Sequence, residues 1–76
     1  MSDTPFDGKR IYTHGRAKAE YEIRGKYIHK SNRNQPIYEI RGDFIHKVNS
    51  TAGPVYEIRG HDIHKYMRAM PLYEIR

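Results

Sequence analysis

The stretch Tyr21-Glu22-Ile23-Arg24-Gly25 (YEIRG) recurs at residues 38–42 and 56–60, and a fourth copy lacking the glycine, YEIR, occupies residues 73–76. In every copy Tyr and Ile alternate with Glu and Arg. That is the two-residue period of a strand with one apolar and one charged face. β-Branched and aromatic residues favour this state. Glycine or proline interrupts the chain too often for a helix to compete.

Aligned on these tyrosines, the chain divides into four units at residues 9–25, 26–42, 43–60 and 61–76, after a leader of residues 1–8 expected to be flexible. Such self-similarity at a near-fixed period sets the architecture. Each unit has a first segment centred on Ile11, Ile28, Ile45 or Ile63 and a second centred on Ile23, Ile40, Ile58 or Ile75. Two kinds of connection alternate. Gly25-Lys26, Gly42-Asp43 and Gly60-His61 are Gly-X links, the signal of a two-residue hairpin loop with glycine at the positive-φ position of a type II′ turn. The other links are longer, vary in length and read as surface loops.

Fixing the tight turns fixes the register. Ile23 should face Ile28, Ile40 should face Ile45, and Ile58 should face Ile63. Glu22, Glu39 and Glu57 then face His29, His46 and His64. One strand is left at each end, residues 10–14 and residues 73–76. Pairing them would match Ile11 with Ile75, remove two exposed edges and account for the phrase that stops midway. The expected fold is all-β: four β-hairpin repeats in a pseudo-fourfold closed ring, the N- and C-terminal strands pairing to close it, in one domain over residues 9–76.

The fourfold Tyr-x-Ile-x-Gly frame resembles the small bacterial proteins called 4-fold β-flower proteins, over essentially residues 8–76. The resemblance implies four hairpin petals around a pseudo-fourfold axis, and it implies no established activity. The first unit departs from the pattern, with Tyr12-Thr13 where the others have His-Lys.

Composition narrows the function classes. The 76 residues include no cysteine, so disulfides and thiolate metal sites are excluded. No apolar run reaches the length of a signal sequence or a membrane span, and a cytoplasmic protein without a membrane partner is expected. A formal net charge of +5 permits a polyanionic partner. The core is thin for a small scaffold. Tyr66, Met67 and Met70 make residues 66–72 the most apolar long loop, and with Phe6 they are expected to form a self-association patch and a homodimer.

The residues that could carry chemistry mostly have structural uses. The eight frame isoleucines should form the core, and Tyr21, Tyr38, Tyr56 and Tyr73 share their parity, so they should wedge between petals with hydroxyls outward. Glu22, Glu39, Glu57 and Glu74 lie on the opposite face with Arg24, Arg41, Arg59 and Arg76, and ion pairs between neighbouring petals are expected. A catalytic carboxylate pair needs divergent environments, whereas repeat copies share one. His29, His46 and His64 offer the three-imidazole pattern of a zinc site, but each faces a glutamate that suffices as partner. No phosphate-loop, dinucleotide, zincin or nucleophile-elbow motif occurs. No catalytic residue, metal or cofactor is therefore expected.

The remaining candidates are basic. Arg16, Lys18, Lys30, Arg33, Lys47, Lys65 and Arg68 lie on or beside the long loops, which should all emerge on one rim. They are the candidate contacts for an anion, a nucleic acid or an acidic protein. The expected function is a non-enzymatic binding or structural module that presents these loops, with nucleic-acid binding by the basic rim as the alternative.

Overall fold

The computed structural model describes residues 5–76. Eight strands follow one another: β1 (Arg10–Thr13), β2 (Ala19–Arg24), β3 (Tyr27–Lys30), β4 (Pro36–Arg41), β5 (Phe44–Lys47), β6 (Tyr56–Arg59), β7 (Asp62–Lys65) and β8 (Pro71–Ile75). Each pairs antiparallel with its neighbours in chain order, and β8 returns to β1 to close a barrel. The expected registers hold: Ile23 faces Ile28, Ile40 faces Ile45, Ile58 faces Ile63, and Ile11 faces Ile75. Among the described residues no helix is long and apolar enough to cross a membrane.

The three tight turns place Gly25, Gly42 and Gly60 at φ of 64°, 62° and 64°. Only glycine enters that region without steric cost, which is why the Gly-X signal repeats. At the chain break no turn exists. There Arg10 and Arg76 exchange both backbone hydrogen bonds, at 3.0 and 2.9 Å, and complete the fourth hairpin. The tight turns therefore ring one end of the barrel and the four long loops ring the other.

Two features of the ladder lie beyond the hairpin frame. Glu20, Ile37 and Leu72 are extra residues, skipped where the register shifts beside Tyr21, Tyr38 and Tyr73. These are β-bulges, which tighten local twist and help a short sheet to close. Each bulge carbonyl, and that of Val55 at the equivalent place, accepts an N–H from a residue of the next long loop around the barrel (Ser31, Val48, His14 and Tyr66, respectively, for Glu20, Ile37, Leu72 and Val55).

The leader is the second. Over its described part it is docked rather than free: the Asp7 carboxylate accepts the Gly25 N–H at 2.6 Å, and the Gly8 N–H donates to Ile23. Phe6 packs against the isoleucine core, so it is not part of a surface patch. Residues 1–4 of the leader lie outside the described residues. Tyr66, Met67, Met70 and Leu72, in and beside the apolar loop, are exposed.

The eight frame isoleucines are buried to 5% exposure or less and form the core. Eight strands enclose an interior just wide enough for side chains. A void of about 10 Å³ lies between Ile11, Ile28, Ile45, Ile63 and the four frame tyrosines. That space is at the lower limit for a single water.

Candidate functional site

The repeat places Tyr21, Tyr38, Tyr56 and Tyr73 two residues nearer the long loops than the isoleucine that follows each. Their rings do not wedge between petals. They close on one another around the axis, edge to face, with neighbouring centroids 5.7 to 6.3 Å apart. Edge-to-face contact suits the aromatic quadrupole. The rings form the floor of the barrel mouth at the long-loop end. Burial raises the pKa of all four phenols, and the neighbouring tyrosines add to the shift. They stay neutral at physiological pH.

The seven candidate cations divide between strand ends and loops of this rim. Lys30, Lys47 and Lys65 close β3, β5 and β7, where they face Tyr21, Tyr38 and Tyr56. Arg16 and Lys18 lie between β1 and β2, Arg33 between β3 and β4, and Arg68 between β7 and β8. Three of them meet. Arg16, Lys18 and Lys30 line an open groove of about 590 Å³ together with Thr13, Ala19, Glu20, Ser31 and Asn32. Arg33, Lys47, Lys65 and Arg68 do not line that groove.

Charge pairing separates the two ends. Among the described residues, none of these seven cations makes an ion pair, and Glu20 is the carboxylate that shares the groove with Arg16, Lys18 and Lys30. Its partner is the Thr13 hydroxyl, which donates to Oε2. At the tight-turn end every frame arginine is neutralised. Arg24 pairs with Glu22, Arg41 with Glu39, Arg59 with Glu57 and Arg76 with Glu74, at 2.7 to 3.1 Å. These pairs lie within one strand, two residues apart, and do not bridge petals as the sequence suggested. Same-face neighbours two positions apart are nearer than side chains on the next petal. Lys26, in the turn between β2 and β3, also reaches Glu39 on β4, at 3.3 Å. Arg41 and Lys26 together hold the Glu39 carboxyl below the usual carboxylate range.

The histidines face the expected glutamates but make no hydrogen bond to them. His29 and His64 are buried, and the Nδ1 atoms of His29, His46 and His64 have no partner within the protein. Among the described residues no group of three or more His, Asp or Glu side chains is arranged to hold a metal ion. Tyr12, which takes the fourth place, instead stacks under the Arg76 guanidinium at 4.6 Å. His14 sits 3.8 Å from Asp62. His61 is in a tight turn.

Sequence reasoning missed Thr13, Glu20, Ser31 and Asn32 as groove residues. They carry no repeat signature, because the groove depends on how two unequal loops fold. The axial tyrosine ring was closer to legible, since three of its four members face a lysine in a register the tight turns already fix. No protein-family model matches the chain, and neither a curated protein nor a solved structure matches it.

Proposed function

We propose that this protein is a non-enzymatic binding module whose working surface is the long-loop rim, and that its ligand is a polyanion, with nucleic acid the best-fitting class. The observation that carries this is the separation of charge: the cations at the tight-turn end are largely paired, while among the described residues seven at the long-loop end make no ion pair. Unpaired cations gathered on one surface release counterions when phosphates replace them, which favours binding to a charged backbone. A filled interior supports a surface role as well. The exposed Tyr66, Met67, Met70 and Leu72 support a separate use of the same rim, self-association into a homodimer, which light scattering would reveal.

The test is a salt titration of binding to short single- and double-stranded DNA and RNA. The logarithm of the binding constant should fall linearly with log salt, by about 0.7–0.9 per phosphate neutralised. Replacing Arg16, Lys18 and Arg33 with Ala should flatten that slope by up to about three such steps. Lys26→Ala, on the opposite rim, should leave the slope unchanged. Absence of binding at low salt by a demonstrably folded protein would sink the proposal.

A further inference from the structure

Three registers repeat one juxtaposition: Lys30 opposite Tyr21, Lys47 opposite Tyr38 and Lys65 opposite Tyr56. Cross-strand partners project to the same face of a sheet. Each lysine stem therefore starts on the interior face, two residues beyond a core isoleucine, at the point where the barrel opens. All three lysines are exposed, and among the described residues none is ion-paired. Below them the four tyrosine rings close the floor and leave almost no space beneath. The result is a shallow axial cup floored by four tyrosine rings, with three lysine stems set around its mouth. The fourth side differs. There Thr13 faces Tyr73, and its hydroxyl is bonded to the Glu20 carboxylate.

We propose that this cup binds a terminal phosphate monoester, its free oxygens on the pseudo-fourfold axis among Lys30, Lys47 and Lys65, with the tyrosine rings beneath. The proposal rests on the polyanion reading above and narrows it to recognition of an end. Three flexible cations spaced around one axis can close on a single concentrated charge more readily than on a continuing chain. A phosphate monoester carries a charge of about −1.5 to −2 and three strong acceptor oxygens, whereas a diester within a strand carries one negative charge. Charge-assisted hydrogen bonds to the extra oxygen and charge favour the end. Glu20 repels the phosphate from the fourth side, so the ester oxygen and the rest of the chain leave that way. The exit leads over the groove lined by Arg16 and Lys18, where the next phosphates find cations.

The experiment compares a short oligothymidylate bearing a 5′-phosphate with the same oligonucleotide ending in a 5′-hydroxyl, by fluorescence anisotropy at low salt. The wild-type protein should prefer the phosphorylated end by about tenfold. Lys47→Ala with Lys65→Ala should abolish the preference, bringing the phosphorylated strand down to the affinity of the hydroxyl-ended one, while both strands lose equally the general attraction of two rim cations. A melting curve verifies that the double variant is folded. Inorganic phosphate should weaken the phosphorylated strand selectively and shift the ring NMR signals of Tyr56 and Tyr73. Equal affinity for the two strands, or a preference that survives the double substitution, overturns the axial site and leaves the groove reading intact. If neither strand binds but phosphate still shifts those tyrosine signals, the nucleic-acid reading falls and the axial site stands. Absence of both effects removes both.

Discussion

Met67 occupies the one position among the four long loops where side chain and backbone disagree. Each of these loops opens with a turn closed by an N–H of Arg16, Arg33, Ser50 or Arg68 on the carbonyl three residues earlier. The third residue of each turn has positive φ, and three petals supply Gly15, Asn32 and Asn49 there; the fourth supplies Met67 at φ 64°. Asn and Gly enter this region readily, and a bulky side chain does so at about 1–2 kcal/mol. Met67 is also 79% exposed, so its side chain contributes little packing in return. Met67→Asn should therefore stabilise the protein by about 1 kcal/mol, and raise its melting temperature by about 4–8 °C. An unchanged or lower melting temperature would show that the methionine is held by a contact with a second molecule. The tyrosine ring gives a second test at this scale. Its four phenols have pKa values raised above the ordinary 10.0 by burial, so the folded state favours their neutral form. The stability this confers is complete below pH 10 and is lost as pH rises through the folded-state values. Unfolding monitored against pH should show stability falling from about pH 10 upward, and Tyr56→Phe should weaken that dependence.

Each strand of the barrel matters because it buries one isoleucine and serves as the edge for two others. Residues 73–76 contribute Ile75, buried to 3%, one ring of the mouth, and the backbone partner of Arg10. Removing a buried isoleucine side chain alone costs about 2–5 kcal/mol, against a total of about 5–15 kcal/mol for a small domain. Deleting residues 73–76 also opens two strand edges. The truncated chain should lose cooperative unfolding or assemble into oligomers, as read by thermal melts and light scattering; a monomer of near-native melting temperature would contradict the closure. At this scale the sequence was most informative. Gly-X turns pin the registers of β2/β3, β4/β5 and β6/β7, and the leftover strands could pair only with each other. The bulges at Glu20, Ile37 and Leu72 escaped, because one inserted residue on the loop side of a strand changes no apolar pattern. Arg-to-Glu pairing within strands escaped as well, since side-chain torsions choose between neighbours that the repeat makes equivalent.

The whole molecule, 27 by 27 by 21 Å, is electrostatically two-ended although its repeats are alike. The frame supplies Glu and Arg in equal number near the tight turns, while the loops collect unpaired Lys and Arg. All seven rim cations were legible as one surface from loop order alone. Their gathering into a groove by Arg16, Lys18 and Lys30 was not, because loop conformation is set by local turns such as those of Gly15 and Asn32. Asp7 and Gly8 were likewise opaque in the sequence, as nothing in the leader repeats the frame it docks against.

The paired hydrogen bonds between Arg10 and Arg76 mean that the barrel has a seam but no true beginning. Strand order around it is cyclic, and where the chain is cut becomes a matter of covalent connection. Joining Arg76 to Arg10 through Gly-Lys, without the leader, supplies a fourth hairpin loop, and the chain can then be opened between Gly42 and Asp43. Such a circular permutant keeps every strand pairing and every core isoleucine. It loses the contacts of Phe6 and Asp7, so it should fold to the same circular-dichroism spectrum with a modestly lower melting point. A permutant that stays unfolded would show that the docked leader, and not the cyclic sheet, holds the barrel shut.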